Sequence, residues 1–103
     1  VQIDNKFSMS DSTQAFLYKC DGEIVPVLPK NGVSFTLKEL SNFVKGYIQI
    51  ISLKDGRLMV LNEEGKIANF KVNDTATNLA KDILFKNDYI VGDVLVTPFS
   101  FVN

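Results

Sequence analysis

The stretch from residue 47 to residue 62 constrains this chain more than any other part of it. Two β-rich runs, residues 47–53 and 57–62, are joined by Lys54-Asp55-Gly56 and are apolar on both faces. Ile48 and Ile50 alternate with Tyr47 and Ile51 in the first run, and Leu58 and Val60 with Met59 and Leu61 in the second. Strands of this kind have no face to offer water and must be covered on both sides. We expect helices to cover one side and further sheet the other. A third run, residues 66–72, follows Asn62-Glu63-Glu64-Gly65, which reads as a type I turn with Gly65 left-handed in a bulge. The three runs predict a three-stranded antiparallel meander.

The flanking segments predict the rest of an α+β fold. Residues 14–20 and 23–28 form an N-terminal β-hairpin about Asp21-Gly22, with Pro26 and Pro29 marking its second strand as an edge. Thr36-Leu37-Lys38-Glu39 is a capping box that opens a short helix over residues 37–44, with Leu37, Leu40, Phe43 and Val44 on one face. Gly46 falls where a left-handed helix terminator is wanted. Asn73 or Asp74 caps a second helix running to about Leu84, whose stripe is Ala76, Leu79, Ala80, Ile83 and Leu84. Residues 89–96 supply one or two C-terminal strands interrupted at Gly92-Asp93, and Pro98 ends them. Phe99-Ser100-Phe101 reads as a last edge. We expect residues 1–13, polar and without a continuous apolar core, to be a flexible leader, and residues 14–103 to be a single α+β domain.

Composition narrows the function classes. With 103 residues and 46% hydrophobic content, the chain can build one core without metals or disulfides. No apolar stretch approaches the ~20 residues that span a bilayer, so no membrane span is expected. The formal net charge is −1, and ten of the eleven basic residues are scattered lysines, Arg57 being the only arginine. Nucleic-acid binding, which relies on clustered basic side chains to displace counterions, is not expected.

The chemistry of catalysis is thin. The absence of histidine removes the commonest general base and the commonest zinc ligand together. Cys20 is the only cysteine, forms no intrachain disulfide, and reads as a small buried hydrophobe. Its usage suits a reducing cytoplasm, the expected location. The glycines stand singly, each beside a plausible turn, so no phosphate-cradling loop is present. Asn62, Glu63, Glu64 and Asp93 could offer oxygens to Mg²⁺ or Ca²⁺. Glu63 and Glu64 fall at a turn tip, where solvation alone accounts for them. We therefore expect no catalytic residues, no metal and no cofactor.

Three blocks carry a resemblance. They are Gly46-Tyr47-Ile48-Gln49-Ile50-Ile51 with Leu58-Met59-Val60-Leu61-Asn62-Glu63-Glu64-Gly65-Lys66, then Asn73 with Ala76-Thr77 and Leu79-Ala80, then Ile90-Val91-Gly92-Asp93-Val94-Leu95-Val96. Together they resemble a family of small domains of unknown function found in bacteria, mobile elements, phages and large DNA viruses. The resemblance implies no activity. It places an acidic residue where this chain has Gln49, and often an arginine where it has Thr75. It draws attention to Asn62, Glu63, Glu64, Asn73, Thr77 and Asp93 as binding residues, beside Tyr47, the one aromatic with a polar handle next to a helix end.

Two functional expectations follow. The first is a non-catalytic binding or interaction module, an accessory protein of a mobile element or phage, whose partner adds to a β edge at residues 23–28 or 99–102. Homo-oligomerisation through a β edge belongs to the same expectation. The second is a small-ligand or nucleotide-binding protein with a pocket between the meander and the second helix. There Asn62, Asn73 and Thr77 would supply hydrogen bonds and Tyr47 a stacking face.

Overall fold

The computed structural model describes residues 14–102, so the expected leader lies outside the described residues. Five antiparallel strands form one sheet: β1 (Ala15–Tyr18), β2 (Ile24–Val27), β3 (Ile48–Ser52), β4 (Leu58–Asn62) and β5 (Val94–Thr97), in the order β2-β1-β5-β4-β3. Helix α1 (Leu37–Val44) joins β2 to β3, and α2 (Asp74–Leu79) lies between β4 and β5. The α+β class and the order of elements follow the sequence reading.

The two hairpins use the same device. Lys19 N–H donates to the Glu23 carbonyl at 2.9 Å and Leu53 N–H to the Arg57 carbonyl at 2.8 Å. The glycines Gly22 and Gly56 both take φ of +94°. Asp21 and Asp55 each accept the N–H two residues on, fixing the turn with a side chain.

The doubly apolar β4 is covered on both sides, as its composition demands. One face packs Val60 and Leu95 against Leu40 and Val44 of α1, with Ala15 and Phe35. The other packs Met59, Val94 and Val96 against Ala76 of α2 and Ala80 and Ile90 beyond it. The expected second cover of further sheet is thus replaced by α2 and its flanking turns.

Helix α1 begins at Thr36, whose hydroxyl accepts the Glu39 N–H while Glu39 accepts the Thr36 N–H, completing the capping box. It ends on left-handed Lys45 rather than on Gly46. Gly46 serves close packing, since a Cβ there would lie 2.7 Å from Asn62 Nδ2. Of the expected apolar face, Leu40 and Val44 are buried and Phe43 is half-buried, while Leu37 is exposed.

The third meander run is the main correction. Within residues 66–72, residues 66–69 form turns, Phe70 and Lys71 have no regular structure, and Val72 makes an isolated bridge to Val91. The slot beside β4 is taken by β5, all four of whose residues are buried. Residues 66–72, with Lys66, Asn69 and Lys71, could not occupy so buried a place without desolvating charge. They wind instead into a helical turn, with Phe70 N–H bonded to the Gly65 carbonyl and Asn69 left-handed at φ +61°. The left-handed residue is therefore Asn69 and not Gly65, whose Cβ position lies 2.8 Å from Val91 Cγ2.

Two further boundaries differ. Regular α2 ends at Leu79, and the chain continues to Leu84 through turns closed by Ala80 carbonyl contacts with Ile83 and Leu84 N–H. The stripe survives, with Ala76 and Ala80 buried and Leu79 and Leu84 packed beside them, although Ile83 is exposed. Phe99–Phe101 is a short 3-10 helix and not an edge strand. Its start at Pro98 turns the chain so that the Phe101 ring meets Phe35 edge-on at 5.9 Å and its carbonyl accepts the Phe35 N–H.

Candidate functional site

The largest polar investment in the fold is structural. Asn73 is buried, and its amide donates to the Tyr18 carbonyl at 2.9 Å and the Gly92 carbonyl at 2.8 Å. Its side-chain oxygen accepts the Ala76 N–H and so caps α2. Thr77 donates its hydroxyl to the Asn73 carbonyl and accepts the Ile90 N–H. Asn62 donates to the Val44 carbonyl and accepts the Glu64 N–H. All three side chains are thus engaged with main-chain groups of this chain.

Asp93 lies apart from them, in a hollow lined by Cys20, Lys45, Phe70, Lys71 and Gly92. One of its oxygens accepts the Cys20 N–H at 3.0 Å and the other faces Lys45 at 3.6 Å. Cys20 is only partly buried, which corrects its reading as a buried hydrophobe, and its thiol donates to the Lys71 carbonyl at 3.4 Å. Burial and the neighbouring Asp93 carboxylate push this thiol above its ordinary pKa, against thiolate formation.

A cleft of about 260 Å³ opens beside β3. Its apolar lining includes Ile51, Leu61 and Ile90, and its polar lining includes Gln49, Asn62, Glu63, Lys66 and Asp88. The Lys66 ammonium is hydrogen-bonded to Asp88 and sits 4.5 Å from the centre of the Tyr89 ring. The Lys66 bond and the Tyr89 N–H hold the Asp88 carboxyl below its ordinary range. Of the expected residues, the cleft takes Asn62 and Glu63. Asn73, Thr77 and Tyr47 do not line it, and Glu64 points its main-chain N–H to Asn62 from an exposed turn. Helix α2 contributes nothing to its wall, which comes instead from residues 84–91. Among the described residues, no three His, Cys, Asp or Glu side chains converge to hold a metal ion.

The cleft borders a free sheet edge. Tyr47 accepts the Glu63 N–H at 2.9 Å and Leu53 donates to Arg57 at 2.8 Å, so Tyr47, Gln49, Ile51 and Leu53 turn their main-chain groups toward β4. By antiparallel alternation, Ile48, Ile50 and Ser52 turn theirs outward. No described strand pairs with them. On the opposite edge the same alternation, started by the Lys19–Glu23 bond, turns Ile24 and Pro26 outward. Pro26 has no N–H, so that edge is interrupted where β3 is continuous. Sequence reasoning recognised the β2 edge and missed β3, because the buried character of residues 47–53 suggested an interior strand.

The fold and this site define a small α+β domain in which, among the described residues, the β3 edge is unpaired and borders a shallow cleft. Residues 17–100 match the family described as a domain of unknown function, DUF3846, and the chain belongs to that family. No curated protein and no solved structure matches the chain. No helix among the described residues is long and apolar enough to cross a membrane.

Proposed function

We propose that this domain is a non-catalytic binding module that receives an extended protein segment along β3. The observation that carries this reading is the uninterrupted outward row of main-chain groups at Ile48, Ile50 and Ser52. An added strand would satisfy those groups, and its side chains on one face would stand over the cleft beside Gln49 and Ile51. Exposed Tyr47 precedes the row and exposed Ile50 lies at its centre, and both supply apolar contact. A cleft of about 260 Å³ is smaller than the ~300–1,000 Å³ typical of pockets that enclose a metabolite, and suits a single side chain better. The accessory role in a mobile element or phage would be exercised through this edge.

Selection of displayed ten-residue peptides by the wild-type domain tests the reading. Binders should lose affinity for Ile50→Pro, which removes one outward N–H and leaves the β3–β4 bonds in place. They should keep it for Ile24→Pro, the matched change on the other edge. Peptides that ignore Ile50→Pro, or a selection that yields none, would sink it.

A further inference from the structure

Resting on that reading of the β3 edge, we infer that the received segment carries a lysine or arginine, whose side chain crosses the cleft to Glu63. The main-chain bonds of an added strand are blind to sequence, so the side chains of the cleft must select its occupant. Position, cover and charge each favour a basic side chain.

Position follows from the register. Gln49 pairs with Leu61, and the bond from Glu63 N–H to the Tyr47 carbonyl carries the same alternation on to Glu63. Gln49, Leu61 and Glu63 therefore share the cleft face of the sheet. An added strand bonded to Ile50 places its next residue opposite Gln49, with the side chain on that face. Two strand spacings, about 10 Å, then separate it from Glu63. A short side chain leaves that gap open. The long stem of lysine or arginine closes it together with the reach of Glu63 itself.

Cover comes from Ile51, Leu61 and Ile90 in the lining, against which the methylene stem of a basic side chain packs while its head stays in water. An aliphatic side chain would find the same cover, and charge separates the two. The cleft is lined by two carboxylates, Glu63 and Asp88, and by one ammonium, Lys66. Lys66 is already engaged, bonded to Asp88 and placed over the Tyr89 ring. Glu63 makes no ion pair among the described residues. The cleft thus holds one uncompensated negative charge at the end of an apolar path. An acidic side chain would meet Glu63 with the only cation of the lining taken, whereas a basic one meets a free partner.

Selection of displayed ten-residue peptides, run in parallel on wild type and on variants of the cleft, tests the inference. Wild-type binders that need the Ile50 N–H should share a lysine or arginine at one fixed position. Selection by Glu63→Lys should favour aspartate or glutamate there, and the milder Glu63→Gln should lose the preference without reversing it. Glu64→Lys makes the same change in net charge outside the cleft lining and should leave the preference as it is. In a synthetic copy of the tightest wild-type binder, norleucine at that position should weaken binding about twofold to fivefold at low salt, as expected of an exposed ion pair. Circular dichroism of each variant separates unfolding from altered selection. Ile50-dependent binders with no basic preference, or with one that survives both Glu63 variants, overturn the inference and leave the edge reading standing. An empty selection, or binders that ignore Ile50→Pro, brings down both.

Discussion

Asn73 donates to the carbonyl of Tyr18, 55 residues earlier in the chain, and by that bond ties the end of β1 to the cap of α2. The same amide holds the Gly92 carbonyl just before β5. One side chain therefore joins three segments that are remote in sequence. A buried amide with three partners is costly to remove, since each carbonyl left behind loses a donor away from water.

Asn73→Ala should lower unfolding free energy by about 2–4 kcal/mol, combining the lost cap with two orphaned carbonyls. Asn73→Asp keeps the capping acceptor and loses both donations, so it should also destabilise at neutral pH. Urea unfolding with an unchanged m-value checks both. If Asn73→Asp matched wild type, the cap alone would account for the residue.

Gly92 and Gly56 separate two costs that glycine can avoid. Both have left-handed backbones, at φ +80° and +94°. A Cβ at Gly56 would meet nothing within 4 Å, whereas one at Gly92 would lie 2.8 Å from Phe70 Cδ2. Gly56→Ala should cost about 1–2 kcal/mol from backbone strain alone. Gly92→Ala should cost more, by about 1–3 kcal/mol of overpacking. Thermal denaturation of the pair gives the difference.

The acid limb of stability should depend on Glu39. The Thr36 N–H, then the Lys30 N–H, hold its carboxyl below the ordinary glutamate range. The folded chain therefore binds a proton here less readily than the unfolded chain. The contribution is fully present above the unfolded pKa and is lost as pH falls through the lower folded value. Glu39→Gln retains the capping-box geometry and removes the titration. Denaturant midpoints measured from neutral pH into the acid range should fall less steeply for Glu39→Gln than for wild type.

Cys20 should be a slow nucleophile. Burial and the Asp93 carboxylate both raise its pKa, outweighing the Gly92 main-chain contact and the charge of Lys71. Iodoacetamide should modify it more slowly at neutral pH than a cysteine in an unstructured peptide. Asp93→Asn should accelerate the reaction by removing the carboxylate while Lys45 and Lys71 remain. An unchanged rate would show that burial alone governs the thiol.

Local signals made much of this fold legible. The Thr36–Glu39 capping box, the Asp21-Gly22 and Asp55-Gly56 turns and the Asn73 cap each act within a few residues, and each lies where sequence reasoning expects it. Competition between distant segments was not legible. Residues 66–72 look strand-like alone and lose their place only because the more apolar β5 fills it. The cleft was hidden for a similar reason. Lys66 and Asp88 are 22 residues apart, and no sequence signal pairs them. The amides singled out by the resemblance, Asn62 and Asn73, proved to be spent on main-chain groups, which sequence cannot distinguish from ligand contacts.

Pro26 gives the strongest test of how this protein manages its sheet edges. It stands at the outward position of β2, opposite Phe16, where an N–H would otherwise project from the sheet. Pro26→Val would restore that donor on a strand whose neighbours Ile24 and Val27 already favour pairing. With β3 unpaired among the described strands, a newly continuous β2 edge would give each chain two edges open to strand addition. Association through both edges cannot close on itself in a pair, so open chains should grow. Light scattering should therefore rise with concentration for Pro26→Val and stay low for wild type. The double variant Pro26→Val, Ile50→Pro should stop at small assemblies, because one of its two edges is blocked again. Growth of equal extent in the double variant would mean that β3 is not an associating edge.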